Sequence, residues 1–187
     1  MLKELVAGNR SYRRFFQEVA ISSETLLELI ELARLTATGA NKQSLKFKSI
    51  NSKAENEKVF SCLSWAGYLK DWQGPEEGEK PAAYIVVLNN PNLKQNPQYD
   101  VGLACQSILL GAVEKGLGGC MFGSVNREKL KKFLHIPNDL DIMLVVALGK
   151  PKEQVRIDEA KDGDVKYWRD ENQVHHVPKR KLEDLVI

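Results

Sequence analysis

The chain has 187 residues, which against roughly 150 residues per domain sets one domain and excludes a multidomain machine. Hydrophobic residues at 43% and charged residues at 28% are an ordinary globular balance, so wholesale disorder is excluded as well. A net charge of +2 is too small to draw the whole surface to a polyanion, which disfavours a general nucleic-acid binder.

The chain opens on a short amphipathic segment, MLKELVAGNRSYRRFF, in which Arg10, Arg13 and Arg14 break up any signal-peptide core. Ser22 and Ser23 then precede Glu24, and Leu26, Leu29, Ile30 and Ala33 recur at helical spacing before Gly39. That is the pattern of a capped helix with one buried face. Lys46 to Ser52 alternates polar with apolar, the period of a half-buried strand, and AENEKVFSCL returns to helical character. Gln73 to Pro81 is polar or turn-forming throughout and predicts a solvated surface loop, with a lid as the sharper reading. Ala82 to Leu88 is a continuous run rich in Val and Ile, which predicts a strand buried on both faces.

Asp100 is the expected cap of a helix running to about Lys115. Within it Val101, Leu103, Ala104, Ile108, Leu109, Leu110, Ala112 and Val113 leave almost no polar face, so a partner subunit is a natural source of cover. Asn126 starts another helix with Leu130, Phe133 and Leu134 inward, ended by Pro137. Ile142 to Leu148 is a second buried strand, closed by Gly149 and Pro151. From Lys152 to Gln173 the chain is polar, yet Val174, Leu182, Leu185, Val186 and Ile187 are apolar, which predicts a polar arm whose end docks. No stretch approaches the roughly 20 apolar residues of a membrane span, so no membrane association and a cytoplasmic location are expected.

The residues that could carry chemistry fall into four groups. Asn9 to Phe15, NRSYRRF, offers guanidinium forks and a hydroxyl suited to phosphate or carboxylate, or else a solvated basic face. Thr36 to Phe47 offers Asn41, Lys42, Gln43 and Ser44 between a helix and a strand, donors and acceptors suited to the edge of a heterocycle. Gly116 to Ser124 carries four glycines, which allow backbone to approach a flat ligand and leave N–H groups free. Lys179, Arg180 and Lys181 form a second basic cluster that could converge with the first on one phosphate. His175 and His176 are adjacent, so on a strand they face opposite ways and cannot chelate one ion together; no metal is expected. Cys62, Cys105 and Cys120 are odd in number and lack CxxC spacing, the mark of buried thiols. No P-loop, dinucleotide fingerprint, GxSxG elbow or HExxH helix is present, and no catalytic side chain is assigned.

Taken in order, these segments resemble the nitroreductase family of flavoproteins. Arg10, Ser11 and Arg13 match its Arg-Ser-x-Arg, and Thr38, Asn41 and Gln43 match its Ser-x-x-Asn-x-Gln loop. Asp100 and Gln106 match its Asp-led helix, Gly116, Leu117 and Gly118 its Gly-Leu-Gly turn, and Arg180 or Lys179 its basic residue near the C-terminus. Asn9 stands where many members carry a further arginine, and Ser44 and Leu45 replace a Pro-Trp pair.

The resemblance implies an α+β fold with a mixed central sheet flanked by helices. It implies one domain over 1–187, with 151–187 as a C-terminal arm reaching over the partner of a homodimer. It further implies FMN as cofactor and NADH or NADPH as reductant of nitroaromatics, quinones or related small acceptors. Arg10, Ser11, Arg13 and Arg180 or Lys179 would hold the FMN phosphate and ribityl chain, Asn41 and Gln43 would address the isoalloxazine edge, Thr38 would also belong to the cofactor site, and the backbone of Met121, Phe122 and Gly123 would lie near the reactive nitrogen. One flat pocket serving both substrates in turn implies ping-pong hydride transfer. A flavin-binding sensor or carrier without turnover, and a dehalogenase-like activity set by the loop around Trp65 to Trp72, are the alternatives.

Overall fold

In chain order the computed structural model, which describes residues 1–187, runs α1 (Leu2–Gly8), β1 (Phe15–Phe16), α2 (Ser23–Leu35), β2 (Leu45–Ile50), α3 (Lys53–Phe60), β3 (Ala83–Asn89), α4 (Gln98–Glu114), β4 (Gly118–Phe122), α5 (Arg127–Phe133), β5 (Asp141–Pro151), β6 (Val155–Glu159), β7 (Trp168–Arg169) and β8 (His175–Lys179). β5 is the axis of the central sheet, whose strand pairs are all antiparallel where a mixed sheet was expected. β3 pairs antiparallel along one edge of it, with Val86 opposite Val145, and β4 along the other, with Gly119 opposite Leu148. β1 continues the β4 side at Phe15 opposite Pro151, and β2 closes the far edge with Ile50 opposite Tyr84.

Every residue of β3 is buried because helices cover both faces of the sheet. Ile85 and Val87 join a core of 16 buried residues with Leu26 and Leu29 of α2 and Ile108 of α4, while Tyr84, Val86 and Leu88 join one of 15 with Val59 of α3 and Leu130 of α5. The two cores are nearly equal, so neither face is left to solvent, and the strand reads as an unbroken apolar run rather than an alternation. Each fully buried Val, Leu or Ile contributes about 1.5–3 kcal/mol.

The capped helices start where their side chains say. Ser22 Oγ accepts from the Thr25 N–H at 3.1 Å before α2, and Asn126 Oδ1 accepts from the Lys129 N–H at 3.1 Å before α5. Asp100 does not cap α4. The helix begins two residues earlier, after Pro97, and the Asp100 carboxylate turns instead to the Gly39 N–H at 3.0 Å and the Lys94 ammonium at 2.6 Å. Phe133 is also less inward than its spacing suggests, 36% exposed with the Lys129 ammonium over its ring.

Two expectations change more substantially. Residues beyond β5, expected as a polar arm, carry strands that no pattern announced: β8 pairs parallel with β6 and antiparallel with β7, making a second, three-stranded sheet. The segment after it leaves its apolar side chains uncovered, with Leu182, Leu185, Val186 and Ile187 all exposed. The Gln73 to Pro81 loop is pinned rather than simply solvated. The Phe15 N–H donates to Glu79 O, Gln17 Oε1 accepts from the N–H groups of Gly78 and Lys80, and the Glu79 carboxylate takes both ends of the Arg14 guanidinium at 2.5 and 2.7 Å and the Lys152 ammonium at 2.9 Å.

The Arg14 hydrogen bonds outweigh burial and, with Lys152, hold the Glu79 carboxyl down at about 2. Its folded value lies below the unfolded one of about 4.3, so this trio stabilises fully above the unfolded value and the contribution is lost as pH falls from there towards 2. Glu79→Gln is therefore expected to lower stability at pH 7 and to flatten the acid limb between pH 4 and 2. Urea unfolding across that range reads both changes, and an unaltered acid limb would count against the assignment.

Candidate functional site

Ser11 forms a parallel bridge with Gly119, and the Tyr12 N–H donates to Gly119 O at 3.0 Å, so the segment after α1 runs along the outer edge of β4. The glycines permit this closeness. A Cβ on Gly118 would lie 2.5 Å from the Tyr12 ring, and one on Gly119 would lie 2.4 Å from the Ala147 carbonyl oxygen. The glycine-rich turn thus serves chain packing at 118 and 119, and β4 is paired with β5 along its whole length rather than presenting a free backbone on both edges.

This placement brings Arg10, Ser11 and Arg13 against the C-terminal sheet. Together with Asn9 they border a cavity of about 220 Å³ whose other wall is Tyr167 with His175, Val177 and Lys179 of β8. The strand period of two puts those three β8 residues on one face. Lys179 is therefore the basic residue at the cavity, and Arg180 is not among its walls. Arg14 is withdrawn from the basic cluster by its pairing with Glu79.

The cavity has three cations and no carboxylate in its lining. Arg13 donates from Nη1 to Ser11 O at 3.1 Å, and its guanidinium lies over the Tyr167 ring, 5.0 Å from the centroid. Glu153 stands behind it, its side chain 1% exposed, and accepts from the Arg13 backbone N–H and from Arg169 at 3.0 Å. Arg10 Nε and His175 Nδ1 are buried with no hydrogen-bond partner. Burial and the neighbouring Arg13, Arg169 and His176 push the His175 ring down to about 4. His176 faces the other way, between Asp158 at 2.5 Å and Asp170 at 3.2 Å, and those carboxylates raise its pKa. The histidines diverge as the strand requires.

A second group lies elsewhere in the chain. Thr38 and Gln43 border a groove of about 690 Å³ floored by Ile30 and Ala33 of α2, Leu45 and Phe47 of β2, and Ala104 of α4. It shares no lining residue with the first cavity, and Asn41 lines neither. The loop is held in an unusual backbone: Ala40, Asn41 and Gln43 have φ of 52°, 49° and 47°, each costing about 1–2 kcal/mol for a non-glycine residue. Asp100 fixes it through the Gly39 N–H. Burial alone would raise the Asp100 carboxyl, but Lys94 and that N–H outweigh it and hold it below its usual value. Thr38 Oγ1 is buried without a partner.

Met121 is 45% exposed on β4, whereas the Phe122 side chain is turned into the core against Trp65, with ring centroids 4.6 Å apart. Gly123 follows, its carbonyl accepting from Arg127 at 3.1 Å. From the Ser11 bridge at Gly119 to Gly123 is four residues, or roughly 13 Å along the strand. Cys62, Cys105 and Cys120 are all buried and unpaired. Burial raises the Cys105 thiol to about 12 and, outweighing Arg13 and Ser11, raises that of Cys120 too, so neither is a nucleophile at neutral pH. The residues missed by pattern were Tyr167, His175, Glu153 and Arg169. Only His175 carried a readable signal, its same-face spacing to Lys179 on one strand.

Helices on both faces of a central antiparallel sheet, with a cationic cavity between the N-terminal segment and an appended sheet, define an α+β protein. The chain belongs to the nitroreductase family, whose model matches residues 6–150, and membership places it among oxidoreductases. It is 27% identical over 157 residues to a protein of Archaeoglobus fulgidus provisionally named an NADH dehydrogenase/NAD(P)H nitroreductase, covering 80% of this chain and 85% of that one. A nitroreductase family protein from Clostridium novyi NT superposes with a TM-score of 0.69 at 23% identity, covering 95% of this chain and 94% of that one. An FMN-dependent nitroreductase from Clostridium difficile R20291 superposes with a TM-score of 0.65 at 18% identity, covering 85% and 91%. These superpositions show the fold. No helix is long and apolar enough to cross a membrane.

Proposed function

We propose that the chain is an FMN-dependent oxidoreductase that uses NADH or NADPH to reduce nitroaromatics, quinones or related small acceptors. The observation that carries this reading is the cavity with three cations, no lining carboxylate and two orphaned buried nitrogens. A phosphate monoester is dianionic and offers only acceptors to those nitrogens. At about 220 Å³ the cavity is smaller than the roughly 300–1,000 Å³ of a whole-ligand pocket, so it suits the phosphate end of FMN and not the ring. FMN, when bound, supplies the capacity to take a hydride from a nicotinamide and pass it to an acceptor.

In this reading Arg10, Ser11, Arg13 and Lys179 hold the phosphate, and β4 leads from there to Met121, Phe122 and Gly123, whose backbone borders the ring. Thr38, Asn41 and Gln43 address the ring edge from a second copy of the chain, because in one copy Thr38 and Gln43 border a different groove and Asn41 borders neither cavity. The homodimer is supported by what a single copy leaves bare: Tyr99 at 86% and Leu103 at 48% exposure on α4, and the uncovered apolar tail from Leu182 to Ile187.

Purified protein is expected to be yellow, to release FMN on denaturation and to sediment at twice the 21.1 kDa of one chain. Initial rates of NAD(P)H oxidation against a quinone should give parallel double-reciprocal lines. A colourless protein that ignores added FMN would overturn the reading. A bound flavin with no NAD(P)H oxidation would favour the sensor or carrier.

A further inference from the structure

We propose that His175 donates a hydrogen bond from Nδ1 to the FMN phosphate and thereby sets the chain's preference for FMN over unphosphorylated riboflavin. This rests on the FMN reading above.

The geometry fixes the tautomer. His175 Nε2 lies 3.5 Å from Arg13 Nη1, and a guanidinium has donors only. Nε2 is therefore the acceptor of that pair, and the proton of the neutral ring sits on Nδ1. That N–H is buried with no acceptor, on a residue that is 1% exposed and borders the cationic cavity. Buried donors in folded proteins nearly always have partners, so an orphan calls for one.

The surroundings say what the partner is. No carboxylate lines the cavity, and the nearby Glu153 is already committed to the Arg13 backbone N–H and to Arg169. Arg10, which also borders the cavity, carries a second orphaned donor at Nε. Two donors without acceptors beside three cations match a group that is all acceptor and carries two negative charges. A terminal phosphate is such a group, and the hydroxyl that ends riboflavin is not. His175 differs from its neighbours in kind, because burial beside Arg13 and Arg169 keeps it uncharged. It adds a directed hydrogen bond without adding a fourth cation. The Tyr167 ring, 5.2 Å from the imidazole and lying under Arg13, supports both groups.

The test measures dissociation constants for FMN and for riboflavin by flavin fluorescence in the full-length wild-type protein, His175→Ala and His175→Asn. The asparagine amide nitrogen stands close to where Nδ1 stands. His175→Ala is expected to bind FMN about tenfold more weakly with riboflavin affinity unchanged, and His175→Asn to recover most of the loss. A second measurement needs no variant: in ¹⁵N-labelled wild-type protein the His175 Nδ1–H resonance should move downfield with FMN and not with riboflavin. An unchanged FMN-to-riboflavin ratio in a folded His175→Ala, or a resonance identical in the two flavin complexes, overturns the role of His175 while leaving the FMN reading intact. Failure of the wild-type chain to bind FMN overturns both.

Discussion

Replacing Arg13 by alanine is expected to weaken FMN binding at least about tenfold, and the Arg10→Ala, Arg13→Ala double variant about a hundredfold. A charge-assisted hydrogen bond to an anion is worth roughly 1.5–3 kcal/mol, and 1.4 kcal/mol is a factor of ten. The two guanidiniums share one cavity, so their effects are coupled and the double variant need not equal the product. Arg14 supplies the control. It lies in the same basic run but is occupied by Glu79, so Arg14→Ala should cost stability and leave FMN affinity nearly unchanged. Fluorescence titration of the three variants decides between a phosphate site and a basic surface. Equal affinity in all of them would mean that the arginines are merely solvated charge.

The largest loss of stability is expected from Glu153→Ala. Its carboxylate is buried and paired with Arg169, whose side chain is 10% exposed, and it also accepts from the Arg13 backbone N–H. Removing one partner of a buried pair leaves the other charge uncompensated, at about 3–5 kcal/mol, against a total stability of about 5–15 kcal/mol for a typical domain. The damage should spread, because Arg169 lies over the Trp72 ring at 4.8 Å and Trp72 packs edge-on against Trp65. Glu153→Gln keeps the shape and an acceptor, so its loss should be smaller. Urea unfolding at neutral pH gives both values, and a loss below about 1 kcal/mol for the alanine variant would show that the pair contributes little.

Much of the fold was legible because it is governed by neighbours in sequence. The spacing of Leu26, Leu29 and Ala33 gave α2 its buried face, the Val- and Ile-rich run gave β3, and Ser22 and Asn126 marked helix starts through bonds to residues three positions on. Periodicity and caps are local properties, and they survive into the structure wherever the backbone has no stronger claim on the side chain. Asp100 shows the opposite case. Its side chain had the chemistry of a cap, but Gly39 and Lys94 arrive from outside the helix and take it. The second sheet escaped notice for a related reason: β6 and β7 are only five and two residues long, and their pairing is with β8, which lies further along the chain.

The candidate site divides in the same way. The Arg-Ser-x-Arg segment and the basic cluster near Lys179 could be named from residue type, since phosphate chemistry needs guanidinium and ammonium donors wherever they lie. Residue type and local pattern were therefore enough for the donor set, the main helices and the two strands at the centre of the sheet. Packing of the folded chain settled that Lys179 and not Arg180 meets Arg10 and Arg13, that Arg14 belongs to Glu79, and that Glu153 and His175 stand beside Arg13. Those pairings join residues 65 to 169 positions apart, through a cation, a carboxylate or a ring nitrogen whose choice of partner is set by distance and burial after the chain has folded.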